Sequence, residues 1–148
     1  MNSRTLLVYF SLTDKTRETA EFISIDIECD IERIKLQTDP GDDIFRIKTQ
    51  IREGTESLFL IEPPTCDLQQ YGTVIIGMPV WENDVPPPIK SFLLQKDWRG
   101  VTMHPFFSSG GIHKDVLRNL QRLCPGARLA SHLFLIFDLN GNYLGAEE

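Results

Sequence analysis

LLVYFSLTDKT, residues 6–16, joins a short apolar run to a polar stretch that begins a helix. Leu6 to Phe10 are apolar or aromatic, which is typical of a strand buried on both faces of a sheet. Ser11 to Thr16 would then form the turn between strand and helix. The first amides of a helix have no partners within it and favour an anion, and hydroxyl groups in the turn add donors. The stretch therefore predicts an anion site, usually a phosphate site, where the first strand ends.

The composition predicts a soluble globular protein whose 148 residues form one domain, residues 1–148. The chain is 41% hydrophobic and 24% charged, and its net charge of -6 argues against nucleic acid as a partner. There is no signal-peptide pattern and no apolar run of membrane-spanning length, so we expect a cytoplasmic protein without a membrane span. The three cysteines are far apart without a CxxC pair, which indicates free thiols and no zinc site.

Strand-like and helix-like segments alternate along the chain. Apolar runs predict strands over Arg4–Phe10, Thr73–Gly77, Gly100–Phe107 and Ala130–Phe137, and alternating residues predict a strand at the sheet edge over Cys29–Leu36. Helical spacing of apolar residues predicts helices over Lys15–Ile23, Ile44–Glu53, Ile89–Leu94 and Lys114–Leu123. Thr55–Asp67 fits neither pattern, and Gly141 onward is expected to be a short tail. The alternation predicts an α/β fold, a doubly wound and mostly parallel sheet with helices on both faces.

Ligands of such sheets bind beyond the carboxyl ends of the strands. Three loops of this chain should lie there, because each follows a predicted strand: Ser11–Thr16, Pro79–Pro86 and Ser108–His113. Each of the three also carries residues suited to contacts with a ligand, namely hydroxyl groups, glycine, proline or tryptophan. We therefore expect one ligand site that is shared by the three loops.

Three segments of the chain follow one another in a familiar order: YFSLT (9–13) with Thr16, GMPVW (77–81) with PPPIKSFL (86–93), and PFFSSGG (105–111) with CPGA (124–127). Together they resemble the small flavodoxin-like proteins of the flavodoxin-4 type. The resemblance runs from about Arg4 to Leu135. It implies a sheet of five parallel strands in the order 2-1-3-4-5, with FMN as the cofactor.

The resemblance also implies which residues would bind FMN. The phosphate would lie on the first loop, at Ser11, Leu12, Thr13, Asp14, Lys15 and Thr16. The isoalloxazine would lie between the second and third loops, at Pro79, Val80, Trp81, Glu82, Asn83, Ser108, Ser109, Gly110 and Gly111. A ring stacked on Trp81 would gain about 0.5–1.5 kcal/mol beyond its burial. No catalytic residue is implied, because FMN itself carries the electrons or hydride.

Each loop also has a simpler interpretation. Thr13 or Asp14 could cap the first helix without binding any ligand, and Trp81 could belong to the core. The serines of the third loop could cap an ordinary turn. Glu82 and Asp84 would lower the reduction potential of a nearby flavin, or they could be two solvated loop acids.

Two functions therefore remain open. The first is an FMN-binding redox protein. It would be either an electron carrier with a protein partner or a small oxidoreductase that uses nicotinamide or quinone, and the oxidoreductase could bind that substrate at a homodimer interface. The second is a flavodoxin-fold interaction module that has lost FMN. Asp14, Glu82 and Asn83 motivate the second, because the family commonly has glycine or a second aromatic residue in these loops. A nucleotide-triphosphate switch is disfavoured, because the chain has no GxxxxGK[ST] motif.

Overall fold

A computed structural model describes residues 4–10, 14–36, 61–80, 84–109, 114–137 and 143–147. Its helices are α1 (Asp14–Asp26), α2 (Pro87–Leu94) and α3 (Lys114–Leu123), with a short 3-10 helix at Leu68–Gln70. Its strands are β1 (Thr5–Tyr9), β2 (Asp30–Arg33), β3 (Thr73–Pro79), β4 (Thr102–Ser109), β5 (Arg128–Leu129), β6 (Leu133–Phe137) and β7 (Tyr143–Glu147). No helix of the described ranges is long and apolar enough to cross a membrane.

The strands form one sheet in the order β2-β1-β3-β4-β6-β7, and β5 also pairs with β4. Every pairing up to β6 is parallel, whereas β7 runs antiparallel to β6. Since β6 lies within the predicted fifth strand and β5 pairs with β4 just before it, the parallel order 2-1-3-4-5 is confirmed. The expectation of a mere tail after Gly141 is wrong, because Tyr143–Glu147 adds a strand at the edge of the sheet.

Helices cover both faces of the sheet, as predicted. Alternate residues of β1 belong to different core clusters, because successive side chains of a strand point to opposite faces. Leu6 and Val8 join the larger cluster, which includes Phe92 of α2 and Leu120 of α3. Leu7 joins a smaller cluster with Ala20 of α1 and its neighbours on that face. Each fully buried aliphatic or aromatic side chain contributes about 1.5–3 kcal/mol, so these two layers account for much of the stability.

Gly77 of β3 provides the space in which a neighbouring aromatic ring lies. The β-sheet register pairs Gly77 with Tyr9 of β1 on one side and with Phe106 of β4 on the other. A Cβ atom at Gly77 would lie only 2.0 Å from Cζ of Phe106. The ring therefore occupies the position that a side chain of residue 77 would need.

Predicted element boundaries differ from the observed ones mainly at the edge strand β2. It spans Asp30–Arg33 and not the whole of Cys29–Leu36, and Leu36 instead forms an isolated antiparallel bridge with Ile61. From Ile61 the chain runs along β2 without a regular element until the 3-10 helix. Glu32 accepts hydrogen bonds from the backbone nitrogen and hydroxyl of Thr65. The predicted helix over Ile44–Glu53 lies outside the described residues.

A polar cluster closes the amino end of the sheet, opposite the three loops. Arg4, which precedes β1, pairs with Asp30 at the start of β2, and its guanidinium carbon lies 5.0 Å from the ring centre of Tyr71. The hydroxyl of Tyr71 donates to Oδ2 of Asp30 over 2.7 Å. This hydrogen bond is the largest cause that lowers the pKa of Asp30, and the hydrogen bond from Arg4 is the second. The cluster connects β1, β2 and the segment that leads into β3.

Candidate functional site

Three loops leave the sheet at the same edge, because the strands before them are neighbours and parallel. β3 lies between β1 and β4, and the register aligns Tyr9 with Gly77 and Pro79 with Ser108. One further backbone bond, from Phe10 N to Gly77 O at 3.1 Å, extends the β1–β3 contact to the start of the first loop. The carboxyl edge of β1, β3 and β4 is therefore where the predicted ligand loops begin.

The described residues include only part of the predicted site. Asp14, Lys15 and Thr16 form the first turn of α1, Pro79 is the last residue of β3, Val80 follows it, and Ser109 is the last residue of β4. Ser11, Leu12, Thr13, Trp81, Glu82, Asn83, Gly110 and Gly111 lie outside the described residues. The roles predicted for all these residues therefore stay predictions.

The start of α1 offers a favourable environment for an anion at this edge. The helix has 13 residues and begins at Asp14, four positions beyond Phe10. Its first backbone amides have no partners within the helix, and the aligned peptide dipoles place about half a positive charge there. The feature alone would be an ordinary helix terminus. The helix follows β1 and packs against β1, β3 and β4, and the phosphate site expected at its start stays a prediction.

Ser108 contributes a buried hydroxyl group to the same edge. Ser108 is only 9% exposed, and it is the one buried polar residue in the part of the chain that the structure describes. Because buried polar groups are uncommon and require partners, a serine at the end of a central strand is more informative than an exposed one. The next residue in the chain is the last of β4, so Ser108 lies directly below the third loop.

Asp84 has partners that neither sequence interpretation expected. Its Oδ2 lies 3.0 Å from Nζ of Lys90, and its Oδ1 accepts bonds from Nδ2 of Asn119 over 2.9 Å and from the backbone nitrogen of Val85 over 2.7 Å. The carboxylate is thus neither an isolated charge near a ligand nor a freely solvated loop acid. Asp84 instead connects the end of the second loop to both α2 and α3.

Sequence reasoning missed Lys90 and Asn119. Lys90 lies on α2 six positions after Asp84, a spacing that suggests contact only once the helix start at Pro87 is known. Asn119 is 35 positions away, and no local pattern links it to Asp84. The prolines before α2 gave the clearer signal: the helix begins at Pro87, two residues before the run that helical spacing predicted, and Pro86 O accepts the first helical bonds.

The cysteines are free thiols, as predicted, and their environment makes them poor nucleophiles. Burial is the largest cause that raises the pKa of Cys29 and Cys66, and it raises the pKa of Cys124 to about 11. A thiol with a raised pKa holds little reactive thiolate at neutral pH. The described residues also hold no group of three histidine, cysteine or acidic side chains arranged for a metal ion.

Comparison with known proteins agrees with this architecture. A family model described as Flavodoxin (Flavodoxin_4) matches residues 4–141. A flavoprotein of Lactobacillus acidophilus NCFM, solved in complex with FMN, is 25% identical with a TM-score of 0.77, over 88% of this chain and 91% of that one. The apo form of the flavoprotein from the same organism is 26% identical with a TM-score of 0.70, over 89% and 91%.

A protein of Bacteroides uniformis described as a flavoprotein is 22% identical with a TM-score of 0.79 over 92% of each chain, which shows the shared fold alone. No curated protein matches the chain. The family model covers nearly the whole sequence, and the strand order of the sheet is the flavodoxin order. The chain therefore belongs to the flavodoxin family.

Proposed function

We propose that this protein binds FMN and works as a redox protein, with the flavin held at the carboxyl edge of β1, β3 and β4. The observation that carries the proposal is that the three strands preceding the predicted ligand loops are parallel neighbours, in a chain of the flavodoxin family. The similarity to a flavoprotein solved with FMN supports the choice of cofactor. Bound FMN supplies the electron or hydride chemistry, which the side chains of the protein do not.

The residues of the chain bind and orient the cofactor in this proposal. The amides at the start of α1 and the hydroxyls of Ser11, Thr13 and Thr16 hold the phosphate, and Lys15 adds a positive charge. Trp81 provides an apolar surface for the isoalloxazine. Ser108 and the loop that follows β4 lie at the polar edge of the ring, where the glycines allow close approach of the backbone.

The redox partner belongs to one of two chemical classes. An electron carrier would dock a partner protein with a basic surface, which suits the net charge of -6. A small oxidoreductase would instead bind nicotinamide or quinone above the flavin ring, and a homodimer interface could form that site. Steady reduction of the bound flavin by a nicotinamide cofactor would distinguish the second class from the first.

A variant of the phosphate loop tests where the cofactor binds. Thr16→Val keeps the shape of the side chain but removes its hydroxyl, so we expect weaker FMN binding in a fluorescence titration, by about tenfold. Ser24→Ala is the matched control, because that hydroxyl bonds to Glu21 O at the far end of the same helix. Equal losses in both variants, or none in Thr16→Val, would place the phosphate elsewhere.

An interaction module without flavin is the second candidate, and one position favours it. Asp14 is the first residue of α1, where a carboxylate is stabilised by the helix terminus and can compete with a phosphate for the same amides. A colourless protein that takes up no added FMN would support this second function.

A further inference from the structure

Asp84 has more partners than a loop residue ordinarily needs. The residue lies in the second loop, three positions before α2 begins, and both of its carboxylate oxygens are engaged by other side chains. About a third of its side chain is exposed, as is that of Lys90, at 32% and 30%. Charge-assisted bonds at partly buried positions are shorter and stronger than neutral ones, so this arrangement restrains the chain at this point.

The two helices that hold Asp84 begin at the two loops proposed to enclose the flavin ring. Lys90 lies on α2, which follows the second loop, and Asn119 lies on α3, which follows the third. The carboxylate is therefore a bridge between the exit of one loop and the helix that continues the other. Among the residues that the structure describes, the partners of this carboxylate other than Val85 N come from these two helices.

We propose that Asp84 is a positioning residue for the flavin ring: through Lys90 and Asn119 it fixes the spacing between the second and third loops. It acts through the loops and does not itself touch the cofactor. The inference rests on the proposed FMN function and adds to it a defined set of residues that the family resemblance did not indicate.

The bridge predicts that the three residues act as one unit on FMN binding. Asp84→Ala should raise the FMN dissociation constant by about tenfold, because the ring would meet a site with variable spacing. Asn119→Leu and Lys90→Met should each raise it less. The double variant Asp84→Ala/Asn119→Leu should bind no more weakly than Asp84→Ala alone, since both remove the same contact. Lys90→Arg, which keeps the charge, should bind as the wild type does.

The experiment measures FMN fluorescence titrations, visible circular dichroism of bound FMN, and urea unfolding of the apo protein for each variant. Asp97→Ala is the control, because Asp97 also forms an ion pair, a more exposed one with Arg99 before β4, at the other end of the sheet. A positioning role changes the flavin signal and affinity in the Asp84 and Asn119 variants but not in Asp97→Ala. A purely structural role would change only the unfolding curves.

Two failures can be told apart. If the wild-type protein binds FMN and Asp84→Ala binds it equally well with the same dichroism, Asp84 has no positioning role and the proposed function stands. If the wild-type protein binds no FMN, the proposed function fails and this inference fails with it. Additive losses in the double variant would also contradict a single bridge.

Discussion

Asp14 is the residue whose charge bears most directly on phosphate binding. It begins α1 at the edge where the phosphate is proposed to lie. A carboxylate there is favoured by the helix terminus, yet it repels a dianionic ligand. Two unit charges 4 Å apart in water interact by about 1 kcal/mol, so the repulsion is of measurable size.

Removing that charge should therefore tighten FMN binding. Asp14→Asn keeps the size of the side chain and removes its charge, and we expect the dissociation constant for FMN to fall by about fivefold at low salt. The gain should shrink as salt screens the charges. Fluorescence titrations at two salt concentrations measure both effects. An unchanged constant would mean that the carboxylate does not act on the phosphate.

Asp30 makes the stability of the fold depend on pH at the other end of the sheet. Its hydrogen bond from Tyr71 and its contact with Arg4 lower its pKa from the ordinary value of 3.8. A lowered pKa in the folded state contributes stability that is present above pH 3.8 and is lost as the pH falls through the folded value. Asp30→Asn should thus be less stable than the wild type at pH 7, with a smaller difference at pH 2.5.

Urea unfolding of both proteins at the two pH values tests this expectation. Glu62→Gln is a suitable control, because Glu62 is exposed and lies outside this cluster. A stability difference between wild type and Asp30→Asn that stayed the same at pH 7 and pH 2.5 would contradict the pH dependence assigned to Asp30.

The packing of β3 against β4 requires that residue 77 has no side chain. The ring of Phe106 on β4 fills the space beside Gly77 on β3, so an added methyl group must displace it. Overpacked cores lose about 1–3 kcal/mol of stability. We expect this loss for Gly77→Ala in urea unfolding, and partial recovery in Gly77→Ala/Phe106→Leu. A stable Gly77→Ala variant would show that the ring has room to move.

The elements that the sequence predicts best are those with a long, uninterrupted pattern. The bounds of α3 match the prediction because Val116 and Leu120 repeat at helical spacing and Gly126 follows the helix. The central strand β3 was found from its apolar run, although it continues to Pro79. In both elements the local pattern and the buried face agree, so the sequence alone identifies them.

The fifth strand was harder to predict because its pairing is interrupted. β5 pairs Leu129 with Met103, and β6 pairs Leu133 with Phe106, so one side advances four residues while β4 advances three. The chain between them, around Ser131, therefore carries one additional residue. β7 was missed because Tyr143–Glu147 contains glycine, alanine and glutamate, and pairing with β6 decides its conformation.

The candidate site likewise has a part that the sequence predicts and a part that it does not. The resemblance of the loops indicated which strand ends to examine, and the register of β1, β3 and β4 agrees with it. The contacts of Asp84 could not be predicted, because Asn119 comes near it only after α2 and α3 pack against the sheet. Long-range side-chain pairs of this kind follow from tertiary structure and leave no local pattern.

At the scale of the whole molecule, binding at the edge of three core strands should stabilise the entire fold. A ligand present at 100 times its dissociation constant raises the unfolding free energy by about 2.7 kcal/mol. We expect FMN to raise the melting temperature, and riboflavin at the same concentration to raise it much less, because riboflavin lacks the phosphate. Equal shifts for the two ligands would argue against a phosphate site at the start of α1.

The most direct test is the visible absorption spectrum of the purified protein, recorded before and after FMN is added and excess ligand is removed by desalting. We expect flavin bands that elute with the protein at about one FMN per chain, with flavin emission quenched by Trp81. A colourless protein that retains no FMN after desalting would contradict the proposed function and would favour an interaction module that has lost its cofactor.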